Sequence, residues 1–221
     1  MKLVIFDCDG TIVDSAAAII ATMEGAFAHA GLAPPSPSAV RNAIGLSLET
    51  CIARLVDDPA LVPSVAQAYR ESFAAGGRAR AHGLFPGARA VIMELVARSD
   101  MVLGIATGKS RRGLDAVLDH HSFEAHFVTT KTADDAPSKP HPGMVLMCMD
   151  EAGVGPADTL VIGDTTFDME MARAAGAGAL GVSWGSHDAV ELLTSGARSV
   201  VFDFPRLLPA IDGYFDEANG K

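Results

Sequence analysis

Lys2-Leu3-Val4-Ile5-Phe6-Asp7-Cys8-Asp9-Gly10-Thr11 is the stretch on which the fold turns. Residues 3–6 are apolar and partly β-branched, the pattern of a short strand buried on both faces of a parallel sheet. Two carboxylates follow two positions apart, then a glycine and a hydroxyl. In open parallel sheets ligands bind at the carboxyl ends of the strands, so a strand that ends in acid aims that acid at a ligand. Clustered carboxylates of this kind suit a divalent cation, a nucleophile with its general acid/base, or both. A calcium loop of the EF-hand type does not fit. It needs glycine sixth and glutamate twelfth, whereas here, counting from Asp7, the glycine is fourth and the twelfth residue is Ala18.

Outward from this stretch the apolar rhythm changes twice. Ile19, Ile20, Met23, Phe27 and Ala30 recur at helical spacing, and Gly31 stands where that helix should stop. Pro34-Pro35-Ser36-Pro37 reads as a loop. Short helices are predicted over roughly 38–43 and 47–56, and a longer one over 59–74 with Val62, Val65, Tyr69 and Phe73 inward. No strand-like run occurs in 16–82, and Gly76-Gly77 opens a hinge-like return to Leu84-Phe85-Pro86-Gly87. Beyond it helices alternate with apolar runs at 101–106, 127–128, 159–162, 179–182 and 200–202. That alternation means an α/β fold, a parallel Rossmann-like sheet with helices on both faces. The expected division is a core of residues 1–14 and 85–221, with an all-helical domain, 15–84, inserted after the first strand.

Composition agrees. The chain has 221 residues, 49% of them apolar, and a mean hydropathy of +0.26, values typical of a compact protein. No run approaches the roughly 18 apolar residues that span a membrane, and the N-terminal run ends at Asp7, too soon for a signal peptide. Cys8, Cys51 and Cys148 make neither a disulfide framework nor a zinc pattern, so a cytoplasmic location is expected. The net charge of −10 speaks against a nucleic-acid partner. It is unevenly spread: residues 15–82 hold five Arg and five acids, and the rest holds 12 basic against 22 acidic groups.

The ends of the predicted strands collect the chemistry. The first ends in Asp7 and Asp9, the 101–106 strand in Thr107-Gly108, and the 159–162 strand in Gly163-Asp164 with Asp168 four residues on. Between them Ser138-Lys139-Pro140 is expected to open a helix. Acid pair, hydroxyl, lysine and acid pair, in that order, resemble the four motifs of the haloacid dehalogenase superfamily, whose first motif is Asp-x-Asp-Gly-Thr. The resemblance covers essentially the whole chain, the helical insertion included. It implies a Mg²⁺ ion held by Asp7, Asp164 and the backbone carbonyl of Asp9, with Asp168 as a ligand or its supporting neighbour. It also implies that Asp7 is the nucleophile and Asp9 the general acid/base. Thr107 and Gly108 would bind the phosphoryl group, and Lys139 would supply positive charge.

Rival readings accompany several of these residues. Asp168 also fits a capping box begun by Thr165. Lys109 lies beyond a strand as Lys139 does, but Lys-Pro before a helix matches the motif and is preferred. His82, His120 and His121 read as solvated. Ser47 reads as an ordinary N-cap, although the loop 44–49, Glu49 included, lies where the superfamily places a specificity loop. Arg41, Arg54, Arg78 and Arg80 are open to an anionic substrate or to solvent alone.

A helical insertion after the first motif resembles the phosphoglycolate-phosphatase branch. The implied activity is a phosphatase for a small phosphorylated metabolite, acting as a monomer or homodimer without a membrane partner. Asp9 separates the chain from the dehalogenases, which lack it, and the absence of lysine from 12–85 separates it from the phosphonate hydrolases that use one. A β-phosphoglucomutase-like sugar phosphomutase remains open, and so, further off, does a non-catalytic regulator phosphorylated on aspartate.

Overall fold

The computed structural model describes residues 1–75 and 82–218. Gly76-Gly77, Arg78 and Arg80 therefore lie outside the described residues. The first strand, β1 (Lys2–Phe6), is followed by four helices: α1 (Ala16–His29), α2 (Pro37–Arg41), α3 (Leu48–Ala53) and α4 (Val62–Ala75). Helices and strands then alternate: α5 (Ala88–Val96), β2 (Met101–Ala106), α6 (Arg111–His121), β3 (Thr129–Lys131), α7 (Gly143–Ala152), β4 (Thr159–Gly163), α8 (Thr166–Ala174), β5 (Gly178–Val182), α9 (Ala189–Ser195), β6 (Ser199–Val201) and α10 (Leu207–Ala218).

The six strands are all parallel, in the order β3-β2-β1-β4-β5-β6. The order reverses at β1, so the crevice for a ligand opens at the carboxyl end of β1, between β2 and β4. Alternate residues of β1 feed opposite faces. Val4 and Phe6 pack under α5, α6 and α10, and Leu3 and Ile5 pack under α7, α8 and α9. All four are fully buried, which is why the strand reads as an unbroken apolar run. Helices α1–α4 build a third cluster around Met23, Phe27, Val40, Ile52 and Val65, joined by Phe167 of α8. Among the described residues no helix is long and apolar enough to cross a membrane.

Two expectations need correction and one element is new. The strand expected at 127–128 forms instead at Thr129–Lys131, paired with Gly104–Ala106. Phe127 is buried in the loop just before it, and Val128 points to solvent. Lys139 does not open a helix, because α7 starts at Gly143. A residue before proline is disfavoured in the helical region, so Ser138-Lys139-Pro140 stays a loop. The sequence reading places no element beyond 200–202, whereas α10 forms over Leu207–Ala218. Pro209 falls in its first turn, where a missing N–H costs nothing, and Leu207, Ile211 and Phe215 bury its inner face.

Candidate active site

The carboxyl end of β1 delivers Asp7 by continuing the ladder: the Asp7 N–H donates to the Ile162 carbonyl at 2.9 Å. β4 delivers Asp164, and the first turn of α8 delivers Asp168. One oxygen from each of Asp7, Asp164 and Asp168 lies within 4.8 Å of the others, and all three side chains are buried. Gly10 makes the crowding possible. Its φ is +83°, and a Cβ there would lie 2.2 Å from Asp164 Oδ2.

Each carboxylate is held differently. Asp164 Oδ1 accepts from the Thr11 hydroxyl at 2.7 Å, and its Oδ2 from the Ser186 N–H at 2.8 Å. Asp168 Oδ2 accepts from the Thr165 N–H at 3.1 Å and hydroxyl at 2.6 Å, and its Oδ1 from Lys139 Nζ at 2.6 Å. Asp168 is thus both a helix-start partner and a member of the cluster. Lys139 Nζ also stands 2.8 Å from Asp7 Oδ1, an ion-pair contact without the direction of a hydrogen bond. Asp7 Oδ2 has no hydrogen-bond partner among the described residues.

Three buried carboxylates share one lysine, so the cluster is short of positive charge. Burial, opposed by Lys139 and reinforced by Asp168 and Asp164, pushes the Asp7 carboxyl up to about 8. Burial and the Asp168 charge push Asp164 up to about 6, against the hydrogen bonds from Thr11 and Ser186. Lys139 is drawn down by burial but held well above the usual lysine range by Asp168 and Asp7. The donor set is all oxygen and excess-negative, and one buried oxygen is orphaned. That set fits a hard divalent cation such as Mg²⁺.

A pH dependence follows. Asp7 and Asp164 bind their protons more tightly folded than unfolded, so their contribution favours folding in acid and is lost as pH rises through about 6 and then about 8. In chelator, the part of the melting temperature owed to these two groups is expected to fall between pH 5 and 8. Added Mg²⁺ is expected to flatten that fall. Thermal scans of the protein and of its Asp7→Asn and Asp164→Asn variants would isolate the effect. Identical pH profiles for all three in chelator would contradict it.

Asp9 faces away from this cluster. Its Oδ1 accepts from the Ser15 hydroxyl at 2.6 Å and pairs with Lys109 Nζ at 2.9 Å. Burial pushes its carboxyl up, but Lys109 and Ser15 outweigh burial and hold it below the usual carboxylate range. Its side chain is thus separate from the three clustered carboxylates. The Thr107 hydroxyl accepts from the Lys109 N–H at 3.3 Å, leaving its own proton for a ligand. Asp7, Asp9, Thr107 and Gly108 line one cavity of about 370 Å³.

The helical insertion sits directly on this cavity. The carbonyls of Gly45 and Leu46 press against Gly108, where a Cβ would lie 2.4 and 2.5 Å from them. The Ser47 N–H donates to Ser138 Oγ at 2.9 Å, and His187 Nε2 stands 3.4 Å from the Asn42 carbonyl. Gly108→Ala is therefore expected to push the 44–46 loop off the core and lower kcat/KM by about tenfold to a hundredfold, since a displacement near 1 Å can cost that much. Steady-state kinetics would check it, and an unchanged kcat/KM would mean the loop yields freely.

The remaining candidates sort as follows. Lys109, ranked behind Lys139, has its own post on Asp9. Thr11, Ser15 and Ser186 were not singled out as holders of carboxylates; Thr11 and Ser15 carried a signal, being hydroxyls beside the acid pair. Ser47 occupies the N-cap position of α3, but its hydroxyl shares a hydrogen bond with Thr50 Oγ1 instead of capping the backbone. Glu49 pairs with Arg70 at the cavity wall. Arg54 lies over the Phe167 ring, 4.7 Å away, and Arg41 is exposed. His121 is not solvated: it is buried, with Nε2 2.9 Å from the His82 carbonyl, and His82 itself lines the cavity.

Comparison with known proteins places the chain in a family. The sequence profile described as "Haloacid dehalogenase-like hydrolase" matches residues 4–182. A protein of Dickeya dadantii named "Probable phosphatase IndB" is 33% identical, over 94% of this chain and 92% of its own length. A phosphoglycolate phosphatase of Pseudomonas putida is 27% identical, over 99% and 82%. The solved structure of a haloacid dehalogenase-like family hydrolase from Streptococcus pneumoniae superposes with a TM-score of 0.83 at 25% identity, covering 95% of this chain and 98% of that one.

Proposed function

The chain belongs to the haloacid dehalogenase-like hydrolases and is a phosphatase of that family, and from that premise we propose that it hydrolyses a small phosphomonoester, Mg²⁺-dependently, through an aspartyl-phosphate on Asp7. The observation that carries the proposal is Asp7 Oδ2: a buried carboxylate oxygen with no partner among the described residues, on a residue that lines the same cavity as Asp9 and Thr107.

Asp7, Asp164, Asp168 and the backbone carbonyl of Asp9 would hold the Mg²⁺. Bound there, it would offset the repulsion between a carboxylate and an anionic phosphate. Lys139 orients the Asp7 carboxylate and, together with a bound Mg²⁺, would offset the burial that otherwise favours its protonated form; its charge also faces the phosphoryl oxygens. Thr107 donates its hydroxyl proton to one of those oxygens, beside the exposed backbone of Gly108. An Asp7 oxygen attacks phosphorus, and the bond to the leaving oxygen breaks as Asp9 gives that oxygen a proton. Asp9 then takes a proton from the water that attacks the aspartyl-phosphate, which frees Asp7. In the arrangement described, Lys109 and Ser15 hold Asp9 as a carboxylate, the form needed for this second half. Donating a proton in the first half requires the Lys109 contact to loosen. Residues 15–84 act as a cap over the core of 1–14 and 85–221, closing on the bound ester to exclude bulk water.

The test is phosphate release from a panel of small phosphomonoesters with Mg²⁺ and with chelator. Release that stops on chelation and returns with Mg²⁺ is expected. Release indifferent to chelator, or isomerisation of a sugar phosphate without release, would reject the proposal.

A further inference from the structure

The cavity is chemically two-sided. Its lower end is polar: the charged Asp7, Asp9 and Lys109, and the Thr107 hydroxyl. Its upper wall, under the cap, is built by Ile19 and Met23 of α1, Ile44 and Leu46 of the loop before α3, and Tyr69 and Phe73 of α4. Most polar groups around it are already committed. Lys109 pairs with Asp9 at 2.9 Å, Arg70 with Glu49, the Thr22 hydroxyl with the Ala18 carbonyl at 2.7 Å, and Asp134 with the Arg111 N–H at 2.7 Å. Arg112, exposed at the rim on α6, is the described cation left for an anionic group.

A volume of about 370 Å³ is in the range of pockets that enclose a drug-sized ligand, more than phosphate and a two-carbon acid fill. A sugar or a carboxylate under the cap would lose water and find few uncommitted partners among the described residues. An apolar body would gain from every methylene buried. We infer that the ester's leaving group is an apolar alcohol or phenol, its body lying against Ile19, Met23, Tyr69 and Phe73 while the phosphate meets Asp7 and Thr107. This inference rests on the phosphatase reading. Hydrolysis consumes one water and releases the alcohol and inorganic phosphate, with no other reactant.

The experiment is kcat/KM for ethyl, butyl and hexyl phosphate, set against phosphoglycolate and glucose 6-phosphate, with Mg²⁺ present. The three alkoxide leaving groups are nearly equally basic, so the chemical step is constant and the series reports burial alone. A rise of about threefold to fourfold per methylene is expected, with hexyl phosphate at least tenfold above phosphoglycolate and glucose 6-phosphate. In Phe73→Ala the loss on hexyl phosphate should exceed the loss on ethyl phosphate by about tenfold. Equal losses on the two esters would count against the inference. If that variant does not fold, the series on the unaltered protein decides. A flat series, or a maximum on phosphoglycolate or the sugar phosphate, overturns the inference and leaves the phosphatase reading standing. Release from none of the esters overturns both.

Discussion

Replacing Asp7 by asparagine is expected to lower kcat by at least about 10⁴-fold, the scale seen when a covalent nucleophile is removed. The amide is nearly isosteric, so the side chain stays between Lys139 and the Asp164–Asp168 pair, but it presents no carboxylate to attack phosphorus. The fold should not suffer. Ionised Asp7 is costly where it sits, since burial and two neighbouring carboxylates raise its pKa to about 8, and the amide removes that charge. The variant should therefore melt no lower than the parent in chelator near pH 8. It should also gain less from added Mg²⁺, because ligand-linked stabilisation follows the affinity of the folded state. Single-turnover phosphate release and paired thermal scans would read both effects. Residual turnover above a few per cent would move the nucleophile elsewhere.

Lys139→Met should be the most destabilising single change in the site. The lysine is fully buried, 2.8 Å from Asp7 and 2.6 Å from Asp168, and nothing else of positive charge touches either oxygen among the described residues. Methionine keeps the length of the side chain and deletes the charge, which leaves buried carboxylates without compensation. Breaking a buried pair in this way costs about 3–5 kcal/mol. The loss should be larger at pH 8 than at pH 5, since in acid the orphaned carboxylates can take up protons instead. Mg²⁺ should restore part of it. A fall in kcat of about 10²–10³-fold should accompany it, the scale of one deleted charge-stabilising group. Urea titrations at the two pH values, with and without Mg²⁺, would decide. Equal stability of variant and parent in chelator at pH 8 would mean that Lys139 is not the counter-charge.

Much of this architecture could be read along the chain because it is written in local periodicity. β1, β2, β4 and β5 are short, apolar and fully or nearly buried, so their sequence admits no competing helix. The acids that break the pattern after β1 and β4 stand out against it. The edge strand β3 did not stand out: Thr129-Thr130-Lys131 has no apolar run, and its place is set by pairing with Gly104–Ala106. Helix α10 carries Pro209, whose cost depends on falling in a first turn, a property of the boundary and not of the residue.

What the sequence by itself determined is therefore the parallel α/β order, the helical insertion after β1, and the residues standing at the strand ends. Those follow from the burial demands of each segment, which neighbouring residues carry among themselves. Only the tertiary structure decided which lysine answers which acid. Lys139 closes on Asp7 and Asp168, and Lys109 on Asp9, across separations of about 30 to 130 residues that no spacing rule encodes. It also decided that Asp7 Oδ2 is left without a partner among the described residues and that helices α1 and α4 meet the cavity with apolar side chains. Ile19, Met23 and Phe73, which read as the apolar faces of helices, line one space with Asp7 and Asp9 at the carboxyl end of β1. Helical periodicity says which face is apolar, and only packing says what that face meets.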